Sequence, residues 1–242
     1  MIQVRGLVRS FGPTHALRGL DLDVADGESL TILGPNGAGK TTFLRILATL
    51  LKPTGGEVRI NGTDLHSSTC EARRQLGFSS HDSLIYDDLS VEENLHFYGR
   101  LYGISKRKER VEEVLRLVGL RPRRHSRART LSRGMQQRLS LARAILHEPP
   151  ILLLDEPYSG LDQEAARMLE ELLAAVRAET RTVVMTTHNL ERGLSLSDRI
   201  CILSKGRVAY EATSARLSLS ELRVAYWEKT QEASSAAQGG SE

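Results

Sequence analysis

Gly34-Pro-Asn-Gly-Ala-Gly-Lys-Thr41, followed by Thr42, decides how this chain reads. It fits the phosphate-loop pattern G-x-x-x-x-G-K-[ST], with Gly34, Gly39, Lys40 and Thr41 at the required spacing. Glycine has no Cβ, so the backbone N–H groups can curl around phosphate oxygens. Lys40 offers a point charge for β- and γ-phosphates, and Thr41 a hydroxyl for Mg²⁺. Glu28 to Leu33, just before, reads as a short strand. Thr41 to Leu50, just after, reads as a helix with Leu44, Leu47 and Leu51 on one face. A helix N-terminus at the loop adds partial positive charge where anions would sit.

The rest of the chain is ordinary globular material. Of 242 residues, 40% are hydrophobic and 26% charged, enough for one sizeable domain or two small ones. The net charge of +3 is too mild to argue for a nucleic-acid partner. Cys70 and Cys201 are far apart and in no ligand spacing, which predicts reduced thiols. No stretch approaches the ~18 apolar residues of a membrane span. The first residues lack a secretory apolar region, so the chain is expected in the cytosol.

Strand and helix signals alternate. Ile2 to Phe11 and Ala16 to Val24 read as strands around a Gly12-Pro13-Thr14 turn, and Glu57 to Ile60 as another strand. Val91 to Leu120 changes to helical spacing, and Arg133 to Leu146 is a further helix. Ile151 to Leu154 is a continuous apolar run, as in a strand buried on both faces. Gln163 to Glu179 reads as a helix, Thr182 to Thr186 as a strand, and Arg199 to Tyr210 as a hairpin turning at Lys205-Gly206. This alternation predicts an α/β fold with a mostly parallel sheet. After Ala212 one helix carries Tyr226 and Trp227, and the small polar end from Glu232 is expected to be disordered.

The apolar run ends in Asp155-Glu156-Pro157. Open α/β sheets place ligands at strand carboxyl ends. Asp155 can hold Mg²⁺ there, and Glu156 can act as general base for an attacking water. Between the two motifs lies Leu131-Ser-Arg-Gly-Met-Gln-Gln-Arg138. Taken in this order, the motifs make residues 1–212 resemble the nucleotide-binding subunits of ABC transporters. The resemblance implies a P-loop NTPase (RecA-like) core with an antiparallel β subdomain and a helical signature subdomain inserted over about residues 82–147. Residues 213–242 form a C-terminal helix and tail. It assigns ATP and Mg²⁺ to the Gly34–Thr42 loop, including Pro35, Asn36, Gly37 and Ala38. Phe11 matches the aromatic that stacks on adenine. Ser132, Arg133, Gly134 and Met135 match the signature LSGGQ that faces a second subunit's ATP. Asp162 matches the segment that communicates across the dimer, and His188 the switch histidine at the γ-phosphate. Implied partners are a separate transmembrane permease and a second copy or homologous cassette, on the inner face of the cell membrane; no nucleic acid is expected.

Two departures stand out. Arg133 and Met135 replace the first Gly and the Gln of the signature, and Arg133 either crowds the site or adds charge near phosphate. His81 occupies the place of a Gln that reads Mg²⁺ and contacts the membrane partner, which implies a catalytic and metal role with a stronger pH dependence. Five arginines between Arg121 and Arg129 read as a solvated face, or as a contact with anionic lipid or a partner loop. Residues 80–95, 133–138 and 155–162 look like the haem-exporter ATPases of cytochrome c maturation. Drug, lipid or polysaccharide exporters share most of these residues. An ABC-type ATPase acting on DNA, ribosomes or complex assembly is the remaining alternative; such relatives usually carry a long coiled-coil insert or a second cassette.

Overall fold

The computed structural model describes residues 1–65, 69–80, 84–178 and 180–238, of which 176–178 and 232–238 by backbone only. The strand signals resolve into two sheets. β1 (Ile2–Phe11) and β2 (Thr14–Val24) form an antiparallel hairpin, and β4 (Gly55–Ile60) and β5 (Thr63–Asp64) complete a four-stranded sheet in the order β2-β1-β4-β5. The second sheet has six strands. β3 (Ser29–Leu33), β6 (Leu76–Ser79), β7 (Ile151–Asp155), β8 (Thr182–Thr186) and β9 (Arg199–Ser204) run parallel, and β10 (Arg207–Thr213) adds an antiparallel edge. Its order is β10-β9-β3-β8-β7-β6. Every residue of β3, β7 and β8 is buried, as expected where both faces are covered.

The helix after the phosphate loop, α1 (Lys40–Leu47), is shorter than its sequence suggests. It stops because Thr49 turns left-handed at φ 61°. Leu51 lies beyond the helix yet still packs on the core. That core joins both sheets through Ile2, Leu17, Phe43, Leu44 and Ile46, all fully buried. Two elements with no clear sequence signal, α2 (Thr69–Arg74) and β6, fill the stretch after β5.

From Val91 to Ile145, between β6 and β7, the chain is mostly helical. α3 (Val91–Leu101) starts at a capping box: Ser90 Oγ accepts from Glu93 N at 3.2 Å, and Glu93 Oε2 accepts from Ser90 N at 2.7 Å. α4 (Arg107–Leu117) and α5 (Arg133–Ile145) follow and share a second core with α6 (Gln163–Ala178). The arginine-rich run is knitted to this unit. Arg124 donates to Glu92 at 2.7 and 2.9 Å and to Glu112 at 3.1 Å, Arg121 pairs with Glu112 at 2.5 Å, and Arg129 with Asp88 at 3.2 Å. The Arg124 guanidinium holds the Glu92 carboxyl below its usual pKa. A third, small core joins α7 (Leu190–Leu196) and β9 to α8 (Leu219–Gln238), which continues into the polar end.

Candidate functional site

Parallel register brings the site together. Ile32 of β3 and Asp155 of β7 both pair with Thr186 of β8, so three strands end side by side. The loop after β3 is compact because of its glycines. A Cβ on Gly34 would lie 2.3 Å from the Leu203 carbonyl oxygen. One on Gly39, at φ 103°, would lie 2.6 Å from that of Ala16. Ala38 is buried and its N–H donates to the Pro35 carbonyl at 3.2 Å. Asn36 and Gly37 are exposed, and Thr42 is half-buried in the first turn of α1.

Lys40 is buried, and its Nζ donates to the carbonyls of Gly34 at 2.6 Å and Pro35 at 3.2 Å. Burial lowers its pKa, against the opposing pull of Glu156 and Asp155. Thr41 Oγ1 donates to Asp155 Oδ1 at 3.2 Å, and Thr186 Oγ1 donates to the same oxygen at 2.7 Å. A hydroxyl beside a carboxylate is a pair of hard oxygen donors, which suits Mg²⁺. The residues present therefore fit that ion.

One residue on, Glu156 is left-handed at φ 49°. Its N–H is held by Thr186, at 3.0 Å to Oγ1 and 3.2 Å to the carbonyl. His188 Nδ1 lies 3.0 Å from Glu156 Oε2. An ionised carboxylate only accepts, so Nδ1 carries the proton and donates. Asn36, Thr41, Arg45, Asp155, Glu156, Ser159 and His188 line one open cleft of about 430 Å³. Thr186 was not singled out from sequence, although it orients both acids; a hydroxyl at the end of the neighbouring strand is the signal that marks it.

The other predicted residues lie outside this cleft. Phe11 stands 48% exposed at the tip of the β1–β2 hairpin. Ser132 caps α5, its Oγ accepting from Met135 N at 3.3 Å. Arg133 is exposed, and its stem lies over Gly160. Gly134 faces the Gly160 carbonyl, and Met135 packs half-buried on the second core. Asp162 Oδ1 accepts from Ala165 N at 2.8 Å at the start of α6. His81 lies outside the described residues.

This chain is similar to known proteins. The family model described as ABC transporter matches residues 17–159. The daunorubicin/doxorubicin resistance ATP-binding protein DrrA of Streptomyces peucetius is 39% identical over 221 residues, covering 90% of this chain and 67% of its own. The Nod factor export ATP-binding protein I of Cupriavidus metallidurans is 35% identical over 224 residues, covering 92% and 74%. A solved dimer of the ATP-binding cassette MJ0796 in a post-hydrolysis state, bound to ADP and Pi, superposes with a TM-score of 0.82 at 28% identity, covering 88% of this chain and 99% of that one. With Asn36 and Thr41 of the phosphate loop and the paired acids lining one cleft, and Lys40 buried within that loop, this chain belongs to the ABC transporter family and is one of its ATP-binding, ATP-hydrolysing subunits.

Proposed function

We propose that this subunit powers export through a separate membrane polypeptide, working as two copies that close on ATP. The convergence of Thr41, Asp155, Glu156 and His188 in one cleft, with both acids acting electrostatically on the buried Lys40, carries the reading. Main-chain amides of residues 34–42 and the Lys40 ammonium grip the triphosphate. Thr41 and Asp155 would hold Mg²⁺, which supplies positive charge to the β- and γ-phosphate oxygens. Glu156 takes the proton of the attacking water. His188, oriented through Nδ1, keeps Nε2 for the water or the γ-phosphate, and Phe11 stacks on the base.

Ser132, Arg133, Gly134 and Met135 are not among the residues that line this cleft. That placement supports a head-to-tail pair in which the N-terminus of α5 meets the partner copy's ATP, with Asp162 at the same junction. Such an interface is self-complementary. ATP favours the closed pair, and loss of the γ-phosphate reopens it. Among the described residues no helix is long and apolar enough to cross a membrane, which fits a permease on another chain and a cassette at the inner membrane face.

The relatives' names, among them a daunorubicin/doxorubicin resistance protein and a Nod factor export protein, favour an exporter of a drug, lipid or polysaccharide over one of haem. Haem export retains only the residue likeness described above. Glu156→Gln with Mg²⁺ and ATP should run as a dimer in size exclusion and return to monomer with ADP; a monomer in both would refute the closing pair. Deleting the gene should raise sensitivity to an amphipathic drug and leave c-type cytochromes intact; the reverse outcome restores haem.

A further inference from the structure

We propose that Arg9 is a positioning residue for the nucleotide base: its guanidinium backs one face of the Phe11 ring and leaves the other as a single platform for a purine. This rests on the reading of Phe11 as the base-stacking aromatic.

Arg9 and Phe11 are two residues apart on β1, so their side chains leave the same face of the strand. The Arg9 guanidinium carbon lies 4.5 Å from the Phe11 ring centroid. Nη1 donates to the Lys52 carbonyl at 2.8 Å, which tethers the group to the loop after α1. Nε is buried and has no acceptor, as when a guanidinium lies flat against an apolar surface. Phe11 nevertheless remains 48% exposed.

A cation over an aromatic face is attracted by the ring's electron density, and the planar guanidinium also stacks. The tether holds Arg9 in place, and Arg9 in turn holds the ring. A base arriving at the open face meets a ring whose orientation is already set, so less freedom is lost on binding. The sandwich would be guanidinium, phenyl ring, purine. A bare triphosphate has no base and gains nothing from it.

The test compares dissociation constants for ATP and for inorganic tripolyphosphate, both with Mg²⁺, by calorimetry on the purified chain. Arg9→Ala is expected to weaken ATP about two- to fivefold and leave tripolyphosphate unchanged. Phe11→Ala should weaken ATP about fivefold or more, and adding Arg9→Ala to it should change nothing further. Because the two ligands are compared on one folded protein, a general loss of stability does not mimic the result. Equal weakening of both ligands overturns the proposal and makes Arg9 a simple charge effect. Unchanged or tighter ATP binding by Arg9→Ala, with Phe11→Ala still damaging, removes the Arg9 role alone. Unaltered ATP affinity in Phe11→Ala removes the stacking reading and this proposal with it.

Discussion

His188 Nδ1 donates to Glu156 Oε2 across 3.0 Å, although 32 residues separate them. The contact needs Glu156 in the left-handed region, a conformation that costs a non-glycine residue about 1–2 kcal/mol. Two bonds from Glu156 N to Thr186 hold it there. His188 is 75% exposed and Glu156 24%, so the pair sits at the mouth of the cleft, where water enters.

Glu156→Gln is expected to lower kcat by about 10²–10⁴-fold with ATP affinity nearly unchanged, since an amide cannot take the proton. His188→Ala should lose a similar amount. The double variant should lose far less than the product, because the two act as a unit. Phosphate release and calorimetry measure both quantities; full additivity would separate the residues.

Lys40 predicts an alkaline limit to ATP binding. Burial lowers its pKa in the free protein, and a bound polyanion pulls it back up. Binding therefore takes up a proton at alkaline pH. Affinity is full below the free-state pKa and falls as pH climbs through it, starting below the ordinary lysine value of about 10.4. Lys40→Arg stays charged and should flatten the curve. A decline that persists in it would belong to another group.

His147 predicts a loss of stability in mild acid. Burial pushes its pKa down from 6.5 to about 4, and the ring stacks on Tyr102 with centroids 3.7 Å apart. Above pH 6.5 both folded and unfolded states are neutral. Below it the unfolded chain gains a proton that the folded chain refuses until about pH 4. Stability should drop about 2 kcal/mol from pH 7 to 5. Urea midpoints check this, and His147→Phe, which keeps a ring against Tyr102, should remove most of the drop.

Two of the three loop glycines, Gly37 and Gly39, differ. Gly39→Ala forces a Cβ against the Ala16 carbonyl and the Leu17 side chain, so it should abolish ATP binding and lower the melting temperature. Gly37→Ala meets nothing within 4 Å and bears only the strain of φ 79°, about 1 kcal/mol. Its affinity should fall only modestly. Equal damage in both would argue against close backbone approach as the cause.

The strand–loop–helix around Lys40, the buried strand leading to Asp155 and the alternation of elements were all legible, because each is a local pattern of apolar spacing or glycine placement. β6 was not. Its four residues, Leu76-Gly-Phe-Ser79, are too few for any periodicity, and Gly77 argues against a strand. They become one only because β7 offers a partner edge and α5 packs so close that a Cβ on Gly77 would lie 2.2 Å from the Ala144 carbonyl. The early stop of α1 was likewise invisible, since Leu51 keeps the helical spacing after the helix has ended.

The chemical identity of the site was set by sequence alone: which residues carry charge, hydroxyl or no side chain is a property of order along the chain. Their meeting was decided by tertiary structure. Thr41 and Asp155 are 114 residues apart, and only the parallel register of β3, β8 and β7 sets them 3.2 Å from each other. Strand pairing is a long-range contact whose partner no local stretch encodes, so the distance appears only once the sheet has formed.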